Sequence, residues 1–146
     1  MAAIQSATPY LALSGGTVTG NITDNGHLQF GGTTPGVAIA AGAGSSPPSP
    51  AVVLASGSND CAGAITWGTG TAPNTQAQLT VTFSTPFVIP GGGAPHIVLC
   101  AANSATAALN IFHSGASPTG FNVGVVTAPA ASQGNTTYSF TYVVMG

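Results

Sequence analysis

The sequence predicts an all-β protein: an antiparallel β-sandwich or jelly-roll-like knob, preceded by an extended N-terminal arm. Three observations lead there. Short apolar runs recur through residues 51–146, separated by Gly, Pro, Asn and Ser clusters at intervals of roughly ten residues. Several runs alternate apolar and polar residues with a period of two, the pattern of a strand with one buried and one solvated face. No segment carries a sustained helical pattern; in "AANSATAALNIF" (101–112) the alanines favour helix, but Asn103, Ser104 and Thr106 interrupt it.

The chain reads in two parts. Residues 1–50 are rich in Gly and Ala and weakly periodic. They end in "GAGSSPPSP" (42–50), whose Pro47, Pro48 and Pro50 favour extended, semi-rigid backbone. Residues 1–50 are therefore expected to be an anchoring arm and Pro-rich linker, and 51–146 a β-sandwich domain. Within the arm, "HLQFGG" (27–32) and "VAIAA" (37–41) are candidates for a short hairpin. An isolated two-stranded hairpin is marginal in water, so the arm is expected to lie on another copy or on a partner.

The strand candidates of the knob follow in order. "AVVLAS" (51–56) is short and apolar. "AGAITWG" (62–68) carries the single Trp. "AQLTVTFS" (77–84) alternates strictly, with Leu79, Val81 and Phe83 on one face and Gln78, Thr80 and Thr82 on the other. "HIVLCAA" (96–102) reads as buried on both faces. "AALNIFHS" (107–114) and "GFNVGVVT" (120–127) alternate in part. "TTYSFTYVVM" (136–145) sets Tyr138, Phe140, Tyr142 and Val144 on one face, as core or as a seam between subunits. "PGGGAP" (90–95), "SGASPTG" (114–120) and "ASQGN" (131–135) supply turn chemistry between them.

Composition excludes several functions. Charged residues are 1% of the 146, where about a quarter is usual. There is no Lys and no Arg, and the only carboxylates are Asp24 and Asp60. Nucleic-acid binding and attachment to anionic lipid both need cations that this chain lacks. Most phosphate-handling enzymes use Lys, Arg or carboxylate-held metal, so that chemistry is not expected here. No signal-peptide pattern opens the chain, and no apolar run approaches the roughly 18 residues of a membrane span. A soluble protein made in a cytoplasm is expected. Low net charge promotes association, so assembly into a larger particle is the natural use of such a surface.

Candidate chemistry is sparse. Cys61 and Cys100 define no disulfide framework and are expected as two buried thiols. His27, His96 and His113 lie in three separate segments without the ligand spacing of a zinc site, and no cofactor is expected. Asp60 and Cys61 are adjacent in "GSNDCAG", which reads as a turn in which Asn59 and Asp60 bond the local backbone. A glycosidase would need two carboxylates about 5–10 Å apart, and Asp24 and Asp60 lie in different parts of the chain. Trp67 sits in mid-strand and is expected in the core rather than stacked on a sugar.

Two stretches resemble known proteins. "LSGGTVTGNIT" (13–23), reading on into "LQFGG", is similar to the Gly- and hydroxyl-rich repeat of bacteriophage tail and head fibres. The strand-and-turn pattern of "ITWGTGTAPNTQAQLTVTFSTPF", "APHIVLCAANSATAALN" and "YSFTYVVMG" resembles terminal β-domains of phage virion proteins. The resemblance implies a trimeric, non-enzymatic virion protein on the particle surface. The single copy of the repeat and the short chain imply a capsid decoration protein or head fibre bound to the major capsid protein or another virion protein. Leu13, Val18, Ile22, Leu28 and Phe30 are the candidate anchoring residues. The alternatives are a tail-fibre or receptor-binding tip protein recognising a host surface glycan, and more remotely a glycan-active hydrolase.

Overall fold

The structure is a computed structural model and describes residues 31–131 and 137–146. The strands are β1 (Gly36–Ile39), β2 (Val52–Leu54), β3 (Ala62–Trp67), β4 (Leu79–Thr82), β5 (His96–Ala101), β6 (Ile111–Ser117), β7 (Gly120–Val125) and β8 (Tyr138–Met145). They form two antiparallel four-stranded sheets, ordered β1-β4-β7-β6 and β2-β3-β8-β5. The all-β class is as the periodicity predicts.

The period of two builds the sandwich. On β4, Leu79 and Val81 turn inward, and on β7 Phe121 and Val123 stand opposite Val81 and Leu79. On the facing sheet Ile65 pairs with Phe140 and Trp67 with Tyr138. These side chains form one apolar core, which Phe83, Tyr142, Val125 and Val144 complete. Removing a large apolar side chain from water stabilises by about 1.5–3 kcal/mol, so the two inner faces hold the sandwich together. Phe121 and Tyr142, from opposite sheets, bridge the layers at 6.2 Å, and within one sheet Trp67 meets Tyr138 at 5.3 Å and Phe140 edge-on at 5.7 Å.

Four sequence expectations are corrected. First, residues 36–50 belong to the sandwich rather than to an arm. β1 pairs with β4 from Gly36 opposite Thr82 to Ile39 opposite Leu79. The stretch after it is knitted to residues 70–74: Ser45 and Thr71 exchange backbone hydrogen bonds, Gly70 donates to Ala43, and Asn74 donates to Gly42. Gly/Pro composition marks irregular backbone, and here that backbone is hydrogen-bonded to the sandwich as far as Ser45. Second, Gln78 does not share the solvated face of β4. It is buried, its amide nitrogen donating to the carbonyls of Asn74 and Gln76 at 2.8 Å each. Third, β5 alternates. Ile97 is buried and His96, Val98 and Cys100 are exposed, because β5 is an edge strand with one face open. Fourth, Asn103 starts a helix instead of interrupting one. Its side chain accepts from the Thr106 N–H at 2.8 Å and caps the single turn α1 (Ser104–Ala107).

Gly32 and Phe87 line the same cleft, and Gly146 lies against the Phe87 ring, whose Cδ1 would be 2.7 Å from a Cβ at that position.

Candidate functional site

The two polar residues singled out by sequence, Asn59 and Asp60, form a clamp where β2 turns into β3. Asn59 closes the turn locally, its Oδ1 accepting from the Cys61 and Ala62 N–H groups at 2.9 and 3.0 Å. That is the turn chemistry the sequence predicts. Asp60 works at long range instead. Its Oδ1 accepts from the Ser84 N–H at 2.9 Å and its Oδ2 from the Thr85 N–H at 3.0 Å, while its own N–H donates to the Thr33 carbonyl. Asp60 is 5% exposed. It thereby ties the incoming segment and the β4–β5 connection to the head of β3.

A cleft of about 340 Å³ opens beside this clamp, lined by Gly32, Thr33, Asp60, Cys61 and residues 85–88. Its chemistry is quiet. Both carboxylate oxygens of Asp60 already accept backbone hydrogen bonds. Partial burial, with Asp60 adjacent, raises the Cys61 thiol above its usual range and favours the protonated form, the weaker nucleophile. Tyr142 donates to the Asn59 carbonyl at 2.6 Å, and burial, with Asp60 and Cys61 nearby, pushes its phenol up to about 12. Asp60 and Tyr142 are thereby engaged in hydrogen bonds that hold the fold.

The other candidates are placed as follows. Trp67 and the Tyr138/Phe140/Tyr142 stripe are buried in the core, as their strand positions predict, so they offer no surface for stacking on a sugar. His96 and His113 are exposed on β5 and β6. Among the described residues no group of three His, Cys, Asp or Glu side chains is placed to share a metal ion. Cys61 and Cys100 are both free and neither is fully buried as expected: Cys61 is half-buried beside the cleft, and Cys100 is exposed on the open face of β5. Leu13, Val18, Ile22, Leu28, Phe30, His27 and Asp24 lie outside the described residues.

The feature the sequence reading missed is the outer face of the β2-β3-β8-β5 sheet. Across it, Val98 stands opposite Val143, which stands opposite Ala62; Cys100, Thr141 and Ala64 form the next row. Met145 at 48% and Val98 at 53% exposure continue the apolar surface. No charged side chain lies on these strands. The signal was present in "HIVLCA" and "VVM": runs that are apolar at every position fit a strand buried on both faces, and here only one face is covered within the chain. Compared with known protein families, curated proteins and solved structures, the chain matches none.

Proposed function

We propose that the protein is a structural component of a bacteriophage particle, a trimeric decoration protein or head fibre of the capsid. The sandwich is its outward knob and the N-terminal residues its anchor. The observation that carries this reading is the uncharged outer face of the β2-β3-β8-β5 sheet. A solvated sheet face is ordinarily polar; this one presents Val98, Val143, Ala62 and Met145. Covering it with a second copy removes apolar area from water at about 25 cal/mol per Å² and strands no charge. The resemblance of "LSGGTVTGNIT" to fibre repeats supports the same reading. No reaction is assigned to the protein. Light scattering on the purified chain is expected to give three times its 14.0 kDa mass, and antibody labelling of particles to decorate the capsid. A stable monomer at micromolar concentration overturns the trimer; label confined to the tail tip moves the protein to receptor binding.

A further inference from the structure

We propose that the outer face of the other sheet, β1-β4-β7-β6, is a binding site for a neutral saccharide. This goes beyond the particle reading and does not depend on it. The face is a polar counterpart of the apolar one. Thr80 and Asn122 stand opposite each other on β4 and β7, and the Thr80 hydroxyl donates to Asn122 Oδ1 at 2.9 Å. That bond fixes the amide and turns its NH₂ end toward Gly115, where a Cβ would lie 3.2 Å from Nδ2. Between Ser114 and Ser117 strand β6 takes one residue more than β7, a bulge that bends its backbone. A hollow of about 220 Å³ lies there, walled by Thr80, Thr82, Ser117, Thr119 and Asn122. That is smaller than the roughly 300–1,000 Å³ that holds a drug-sized ligand, and suits one ring rather than such a molecule.

The same face carries an aromatic platform. Phe112 stands opposite Gly124, and the far edge of its ring lies 2.6–3.1 Å from where a Gly124 Cβ would be. The glycine therefore lets the ring lie across the sheet, two residue pairs along from Ser114 and Asn122 and so on the same face, and Phe112 is 43% exposed. An exposed ring costs solvation unless something apolar covers it.

The chemistry selects the ligand class. Hydroxyls and an amide offer both donors and acceptors, with no formal charge to meet an anion or a cation. A sugar ring has matching needs: hydroxyls around its edge to exchange neutral hydrogen bonds, and an apolar C–H face to lie on the aromatic ring. A charged glycan would leave its carboxylates or sulfates without a cationic partner here.

Retention on resins tests this with the full chain. Amylose, cross-linked dextran and mannan-agarose serve as neutral supports, and heparin-agarose as the anionic one. Retention is expected on at least one neutral resin, at low salt and at 1 M salt, with elution by the free sugar of that resin. Phe112→Ala should cut retention about tenfold and Phe112→Trp should keep it. Val88→Ser, which changes an exposed apolar residue on the cleft edge, should leave it unchanged. Asn122→Ala should act like Phe112→Ala; where that variant melts early, Thr80→Val, which releases the amide without emptying the site, gives the second arm. Absence of retention on all three neutral resins, retention only on heparin, or retention that Phe112→Ala and both polar variants leave intact overturns the proposal.

Discussion

Tyr142 and Asn59, 83 residues apart in sequence, are joined by a buried 2.6 Å hydrogen bond from the phenolic hydroxyl to the backbone carbonyl. Tyr142 is otherwise a core residue of β8, so this bond fastens the β2–β3 turn to the middle of the sandwich. Removing the hydroxyl leaves the carbonyl buried without that donor. Tyr142→Phe is expected to lower stability by about 1–3 kcal/mol in chemical denaturation. A change below a few tenths would mean that the turn is held by its own Asn59, Ser58 and backbone hydrogen bonds. The same group links stability to alkaline pH. Its folded value, about 12, lies above the ordinary value of 10, so above pH 10 the unfolded chain gives up the proton first. The contribution is complete below pH 10 and is lost as pH rises toward 12. Denaturation midpoints should fall in that window for the natural chain and less for Tyr142→Phe.

Asp60 holds two backbone N–H groups with two equivalent oxygens. An amide can accept only once in that geometry and turns an NH₂ toward the other donor. Asp60→Asn is expected to cost about 1–3 kcal/mol. Amide hydrogen exchange at Ser84 and Thr85 should accelerate with it. Unchanged exchange at both would dismiss the clamp.

Gly63 stands opposite Tyr142, and a Cβ there would come within 2.6 Å of the Tyr142 hydroxyl and of Ser58 Cβ. Gly63→Ala must displace the hydroxyl or the turn. A loss of about 1–3 kcal/mol is expected by overpacking, read from the thermal midpoint. It should be smaller in a Tyr142→Phe background, where one of the two obstacles is gone. Full additivity of the two changes would show that they do not share the contact.

Deletion tests the proposed anchor separately from the fold. Removing residues 1–30 is expected to leave the thermal transition of the sandwich in place and to abolish joining to the particle. Removing residues 1–45 takes β1 and the Ser45–Thr71 bridge with it, so that product should melt markedly lower. Full occupancy of particles by the 1–30 deletion would put the anchor elsewhere.

Self-association has no Lys or Arg to draw on. Apolar burial and neutral hydrogen bonds are barely screened, so the oligomer should persist from low salt to 1 M, where the Debye length is about 3 Å. Val98→Lys and Val143→Lys, which bring like charges together between copies, should dissociate it without unfolding the sandwich. Dissociation of the natural oligomer by salt alone would contradict the assignment of the interface to the apolar face.

The strands were legible because a pleated chain exposes its period directly: Leu79, Val81 and Phe83 announce an inward face, and Tyr138, Phe140, Tyr142 and Val144 announce another. What was not legible depends on partners far along the chain. Nothing near Asp60 says that its oxygens will meet Ser84 and Thr85. Nothing near Pro47 says that the backbone before it will pair with Thr71. The candidate saccharide face escaped notice for a related reason. Phe112 looks like an ordinary strand residue until the register sets it over Gly124, and Thr80 and Asn122 look like scattered polar residues until β4 and β7 bring them together.

Phe87 lines a cleft with Gly32 and sets its ring against Gly146. One side chain of the β4–β5 connection thus touches the residue that follows β8 and shares a cleft with the segment that precedes β1. A Cβ at position 146 would meet the Phe87 ring at 2.7 Å, so a side chain there must displace the ring and with it one wall of the cleft.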